Sequence, residues 1–373
     1  MTEILSVTSG VDMLDAAQRA AGTLDRGGLV VFPTETVYGL AARADVPDAL
    51  ARLRAAKSRG PDKAFTLHIG SPEEAGRYVH ELPAVAERLI RKSWPGPLSL
   101  IVPVPEPAGV AAMAQTTPET VAAVFREQTI GLRCPAEPTG RHMLSLAGGP
   151  VVAASANLAG DPAPRTAGEA CRSLRDHKID LVLDSGKSRY QRPSTIVQIQ
   201  GGDYYLVREG VMDARMVERL AVLRIVFVCT GNTCRSPMAE GFAKAMLAER
   251  IGCEPGALRK HNIEVLSAGT FGGYGGASEH SIAAMAKRKI DITDHRSKPL
   301  TAADVNDADL VVVMTSGHRD AVLDLAPQAA DSVVQLVDHE DIFDPIGGTP
   351  EEYERCAQII EKGVRTRLQE IKL

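Results

Sequence analysis

The chain reads as an α/β protein in two parts, an N-terminal domain with a twisted sheet and a C-terminal domain with a parallel sheet. Three observations predict this. Its 373 residues exceed what one ordinary hydrophobic core supports. Short apolar runs alternate with helical segments along its whole length. Around residues 208–211 the sheet-like pattern ends, a short helical stretch follows from Ala214, and a fresh strand begins at Leu223. The expected division is 1–212, a linker over 213–222, and 223–373.

Each element has a local reason. Val11, Leu14, Ala21 and Leu24 recur at helical spacing, and Gly27 with Gly28 offers a left-handed cap where that helix stops. Residues 29–32 then form a strand, 48–58 a helix, and the runs at 65–69, 98–102, 150–154 and 181–183 further strands. The second part alternates more regularly: strand 224–228, helix from 237, strand 263–266, helix from 279, strands 310–314 and 333–336, and a charged closing helix over 350–371. Strands separated by helices pair in parallel, and such sheets bind ligands at the carboxyl ends of their strands.

Composition narrows the classes. The 44% hydrophobic and 24% charged fractions are those of a soluble protein, while 4% aromatic content argues against a large aromatic cleft. Basic and acidic residues balance up to residue 220, so the net charge of −5 falls in the remainder. No strongly basic domain exists, so stable general nucleic-acid binding is not expected. The start lacks a basic segment followed by an apolar run, and nowhere do about eighteen apolar residues occur together, so a cytoplasmic location without a membrane span is expected. Cys134, Cys171, Cys229, Cys234, Cys253 and Cys356 show no repeated C-x-x-C pattern. This weighs against structural zinc and against a secreted disulfide scaffold, and no metal ligands are predicted.

The run C-T-G-N-T-C-R-S-P from Cys229 to Pro237 follows an apolar strand and precedes a helix. Such a loop lets the backbone N–H groups of Thr230, Gly231, Asn232 and Thr233 curl around one anion while Arg235 adds a bidentate clamp. The helix N-terminus and Arg235 favour a thiolate at Cys229, the candidate nucleophile toward phosphorus. Asn232 suits a left-handed conformation that turns the loop amides inward. Cys234 reads equally as a thiol able to trap oxidised Cys229 or as a small apolar filler.

This run, with the late pair Asp344-Pro345, resembles the low-molecular-weight protein tyrosine phosphatase family. The resemblance implies a Rossmann-like domain in which Cys229 is the nucleophile, Arg235 binds the phosphoryl oxygens, Ser236 assists the thiolate and Asp344 is the general acid. It also suggests that Ser267 and His295 hold Asn232 in place, and it implies no cofactor for this reaction. A carboxylic acid there would protonate the leaving group and later activate water against phosphocysteine. Tyrosine-directed members carry bulky residues in the loop and aromatics after Asp-Pro. Here Thr233 and the run Ile346, Gly347, Gly348 stand in those places. This resembles the bacterial protein-arginine phosphatase branch and implies a phosphoprotein substrate, with phosphotyrosine left open. Arsenate reduction ranks lower, because only Cys253 and a distant Cys356 follow the loop.

The first part contains F-P-T-E-T-V-Y-G-L from Phe32, then Lys57 and Arg59, W-P-G-P-L-S from Trp94, Arg133, S-A-N from Ser155, and R-P-S-T from Arg192. In that order, over residues 10–212, they resemble the YrdC-type threonylcarbamoyl-AMP synthase family with its twisted α/β sheet. The resemblance implies condensation of threonine, bicarbonate and ATP, with Mg²⁺ accompanying ATP. The product adenylate would pass to the tRNA-modification machinery. Lys57, Arg59 and Arg208 would clamp triphosphate oxygens, and Ser155, Asn157 and Ser194 would supply short polar contacts. Thr34, Thr36, His68 and Arg133 would form the threonine pocket, Arg133 near a carboxylate. Thr66 and His68 share one strand face, and Thr34 and Thr36 do so if their loop is extended. The alternative is a non-catalytic nucleotide- or RNA-binding module that regulates a phosphotyrosine phosphatase.

Overall fold

The computed structural model describes residues 2–60, 63–107, 110, 116–273 and 275–373. The chain separates into two compact units, Met1–Ala221 and Val222–Leu373. Of the stretch 213–222 expected as a linker, residues 213–221 fall in the first unit and Val222 in the second. Ala214–Ala221 is a helix with Val217 and Ala221 buried, and the Ala221 carbonyl accepts a 2.9 Å hydrogen bond from Arg88 Nε.

The first unit is organised around one mixed sheet of eleven strands. Its path runs Glu3–Ser6, Leu181–Asp184, Val30–Phe32, Gly39–Arg43, Val151–Ser155, Thr66–His68, Thr129–Arg133, Leu98–Pro103, Thr195–Gln200 and Asp203–Arg208, with Phe125–Arg126 paired beside Thr129–Arg133. The long first helix, Gly10–Asp25, is capped by Ser9, whose hydroxyl accepts Asp12 N–H. It buries Ala16, Ala17, Ala20, Ala21 and Leu24, and the chain leaves it through Gly27 at φ 80°. The antiparallel pairing of Gly39–Arg43 with Val151–Ser155 sets Gly39 opposite Ser155, and Thr66–His68 adds to the other edge of Val151–Ser155. Chain segments far apart in sequence thereby meet at one sheet surface.

The second unit has four parallel strands in the order Ile263–Gly269, Leu223–Cys229, Leu310–Val313, Val333–Gln335. Leu223, Ile225, Phe227 and Cys229 alternate into a layer with residues of helices Arg235–Ile251 and Pro350–Gln369. Val226 and Val228 face the opposite layer with Val305 and Val322. A two-residue period buried on both faces is the pattern of a central parallel strand. Helix Arg235–Ile251 starts two residues before the expected position, so Arg235 itself sits at the helix N-terminus. Among the described residues no helix is long and apolar enough to cross a membrane.

Candidate active sites

In the second unit the strand ending at Cys229 feeds directly into the phosphate loop. Asn232 is buried and left-handed at φ 53°, and its amide is held from both ends. Nδ2 donates to Ser236 Oγ at 2.9 Å and to Ser267 Oγ at 2.8 Å, while Oδ1 accepts Lys298 N–H at 2.9 Å. Ser267 donates in turn to Glu240 Oε2 at 2.6 Å, which leaves its lone pairs for Asn232. His295 Nε2 lies 2.8 Å from Asn232 O, and Ser297 donates to Gly231 O at 2.8 Å. Because Ser236 accepts from Asn232, its own proton is available to Cys229 Sγ, 2.9 Å away. A hydroxyl that donates to the sulfur fixes where its remaining lone pairs point.

Arg235 is buried at the mouth of this loop. Nη1 donates to Ile342 O at 3.0 Å, Nη2 to Thr230 Oγ1 at 3.3 Å and to Asp344 Oδ2 at 2.5 Å, and Nε has no partner among the described residues. Asp344 is thus brought to the guanidinium from more than a hundred residues away. Cys234 contacts Tyr353 Oη at 3.3 Å and Ser278 Oγ at 3.5 Å. Cys356, distant in sequence, packs in the same buried cluster as Cys229, and burial pushes its thiol up to about 12. Glu240, Ser297 and Tyr353 escaped the sequence reading because they lie on other elements without a motif of their own. So did Phe271, whose N–H donates to Thr230 O and whose side chain is 81% exposed. With Ile346, 68% exposed, it gives the region of the loop apolar surface that the composition did not suggest.

The first unit gathers its predicted residues, all but Thr36, around a cavity of about 420 Å³. Thr34, Lys57, Arg59, His68, Arg133, Ser155, Asn157, Ser194 and Arg208 all line it. Lys57 ends helix Pro47–Ala56 and reaches back, with Nζ donating to Ser155 O at 2.7 Å, to Asn157 O, and to Asn157 Oδ1 at 3.3 Å. Arg59 stacks over Phe65 at 4.7 Å and donates to the carbonyls of Lys63 and Ala64. Arg208 donates to Ser194 O at 2.7 Å and to Ser194 Oγ at 3.2 Å, and Ser99 Oγ lies 3.0 Å from Ser194 Oγ.

Thr34 and Thr36 do meet, but not through an extended strand. A tight turn directs Thr36 N–H and Val37 N–H onto Thr34 Oγ1, and the two hydroxyl oxygens lie 2.8 Å apart. Arg133 Nη2 donates to Thr36 Oγ1 at 2.6 Å, to Glu35 Oε1 at 2.8 Å and to Thr34 Oγ1 at 3.4 Å, while its buried Nε has no partner among the described residues. Glu35 Oε2 accepts Ala136 N–H at 2.8 Å, so the carboxylate of this buried pair is satisfied on both oxygens. Glu35 was hidden between two threonines that drew the sequence argument.

Electrostatics mark the cavity as an anion site. Lys57, Arg59, Arg133 and Arg208 converge, and Asp161 is the carboxylate among the lining residues. Burial and the nearby Arg59 hold the Lys57 ammonium down to about 8. Burial also lowers Arg59 and Arg208, Arg208 further through Arg133. Burial and Arg133 push His68 down to about 3, so its imidazole is neutral. One consequence is measurable. Binding of inorganic sulfate in the cavity should weaken as pH rises through about 8, where Lys57 loses its proton, and Lys57→Arg should remove that inflection because guanidinium stays charged. An unchanged profile in Lys57→Arg would assign the inflection elsewhere.

Comparison with known proteins agrees with both halves of this description. The family described as "Telomere recombination" (Sua5/YciO/YrdC) matches residues 22–210, and the family "Low molecular weight phosphotyrosine protein phosphatase" matches residues 224–373. Threonylcarbamoyl-AMP synthase of Pyrococcus abyssi is 33% identical over 60% of this chain, which spans 62% of that relative's length. Protein-arginine-phosphatase of Bacillus subtilis is 36% identical over 40% of this chain and 96% of its own. The solved structure of a variant Sua5 from P. abyssi shares the fold, with TM-score 0.51 and 21% identity, covering 96% of each chain. The chain therefore belongs to the Sua5/YciO/YrdC family through its first unit and to the low-molecular-weight phosphotyrosine protein phosphatase family through its second.

Proposed function

We propose that this chain is a bifunctional enzyme. The first unit would form threonylcarbamoyl-AMP and pyrophosphate from threonine, bicarbonate and ATP, for transfer to tRNA by other proteins. The convergence of four cations on one cavity carries that reading, because a triphosphate and a carboxylate need charge neutralisation more than a side-chain nucleophile. Lys57, Arg59 and Arg208 would hold the phosphates, and Arg133 with Thr34 and His68 the threonine. Mg²⁺ arriving on the triphosphate would meet Asp161, and one carboxylate plus phosphates is a usual magnesium environment. The carbamate of threonine attacks the α-phosphorus and pyrophosphate leaves.

The second unit would remove phosphate from a cytoplasmic phosphoprotein. The observation that carries this is the Ser236 hydroxyl 2.9 Å from Cys229 Sγ, inside a loop whose Arg235 is met by Asp344 from a distant segment. The thiolate attacks phosphorus as the leaving group takes the proton of Asp344. Ionised Asp344 then deprotonates the water that releases phosphate from phosphocysteine. Phosphoarginine is favoured by the polar Thr233 and by the likeness to a protein-arginine-phosphatase. Exposed Phe271 and Ile346 favour a second reading, phosphotyrosine, whose flat ring suits apolar walls.

One comparison tests the assignment. The purified chain should release pyrophosphate only when threonine and bicarbonate are both present, and should hydrolyse phosphoarginine peptides faster than phosphotyrosine peptides. Failure of the first in folded protein would turn the first unit into a regulatory module. Reversed preference would make the second a phosphotyrosine phosphatase.

A further inference from the structure

His318 belongs to helix Ser316–Leu325, outside the phosphate loop, yet its ring reaches that loop. It is 7% exposed. Nδ1 lies 2.7 Å from Oγ1 of Thr315, the residue that caps this helix, and Nε2 lies 2.9 Å from Thr230 Oγ1. Thr230 Oγ1 in turn accepts Arg235 Nη2 at 3.3 Å. The contacts form a line, Thr315 to His318 to Thr230 to Arg235, joining the ends of two neighbouring strands.

Thr315 Oγ1 also accepts His318 N–H at 3.2 Å. The ring carries its proton either on Nε2, donating to Thr230, or on Nδ1, donating to Thr315 while the Thr230 hydroxyl donates to Nε2. In both forms the His318–Thr230 hydrogen bond is made and Thr230 Oγ1 accepts Arg235. Burial and the Arg235 cation hold the imidazole down to about 4, so it carries one ring proton at neutral pH.

The arrangement matters because Asp344 has two tasks. Its carboxylate anchors Arg235 at 2.5 Å, but an acid that protonates a leaving group has to release that anchor. The holds left on the guanidinium are then Ile342 O and Thr230 Oγ1. We propose that His318 is a positioning residue for phosphoryl transfer, fixing Thr230 so that Arg235 stays over the phosphate loop when Asp344 lets go. This rests on the phosphatase reading of the second unit.

The test is a double-mutant cycle on the full chain, with 4-nitrophenyl phosphate as substrate and inorganic phosphate as ligand. His318→Ala and Thr230→Val should each lower kcat/KM and weaken phosphate binding about tenfold, which is the loss of one charge-assisted contact. The double variant should be no worse than either single one, and His318→Gln, which can still donate to Thr230, should recover most of the loss. Losses that multiply in the double variant, or phosphate affinity unchanged in His318→Ala, would overturn the proposal. If His318→Ala does not fold, the same cycle with His318→Leu decides by the same criteria. Phosphate binding measured by calorimetry keeps the two claims separate. Absent turnover in the wild type counts against the phosphatase reading, whereas equal phosphate affinity in wild type and variants counts against His318.

Discussion

Cys229→Ser should abolish hydrolysis of both phosphoarginine and phosphotyrosine peptides, by on the order of 10⁴-fold or more, because a serine hydroxyl is a far weaker nucleophile toward phosphorus than a cysteine sulfur. Phosphate binding should survive, since Arg235 and the loop amides remain. The expected pattern is thus intact affinity without turnover, read by phosphate release beside calorimetry. Activity within tenfold of wild type would sink the nucleophile assignment. Threonine-dependent pyrophosphate formation should be unaffected in the same preparation if the two sites work independently. A parallel loss there would show that they are coupled.

Arg133→Ala should remove threonine-dependent pyrophosphate formation and also destabilise the first unit. The guanidinium and Glu35 form a pair with side chains only 7% and 5% exposed. Removing one partner leaves the other charge buried, at a cost of about 3–5 kcal/mol. Thermal unfolding would register this effect, and threonine kinetics the other. The two separate in the double variant Arg133→Met with Glu35→Gln. There the lone charge is gone and the amide oxygen can still accept Ala136 N–H, so stability should largely return while synthesis does not. Recovery of synthesis together with stability would show that Arg133 serves the fold and not the amino acid.

Both predictions draw on residues that were legible in the sequence to different degrees. The phosphate loop was readable because its members are contiguous. Strand, small-residue turn and helix start follow one another, so local backbone geometry is enough to bring Cys229, Asn232 and Arg235 to one anion. Asp344 needed the resemblance, since nothing local to an Asp-Pro pair says that it faces Arg235. The residues around the first cavity are recognisable as an ordered set, but how Thr34 meets Thr36 is not, since a shared face was expected only for an extended loop. Alternation along a strand was the available local rule, and the chain uses a hydroxyl-centred turn instead. The helical stretch from Ala214 was legible ahead of Val222, but nothing within it says which core it packs against. Its burial of Val217 and Ala221 is a tertiary event.

By itself the sequence determined the fold class, the alternation of strands and helices, the phosphate loop and the identity of the cationic side chains, all of which depend on near neighbours. Only the tertiary structure decided which distant groups complete each site. Glu240 orients Ser267, His318 meets Thr230, Phe271 lies beside the loop, Glu35 holds Arg133, and Ser99 approaches Ser194. The physical reason is that such pairs depend on strand order and register. A parallel sheet ordered as in the second unit sets the end of Leu310–Val313 beside the end of Leu223–Cys229. No periodicity within either segment encodes that adjacency; it comes from burying both strands in one core.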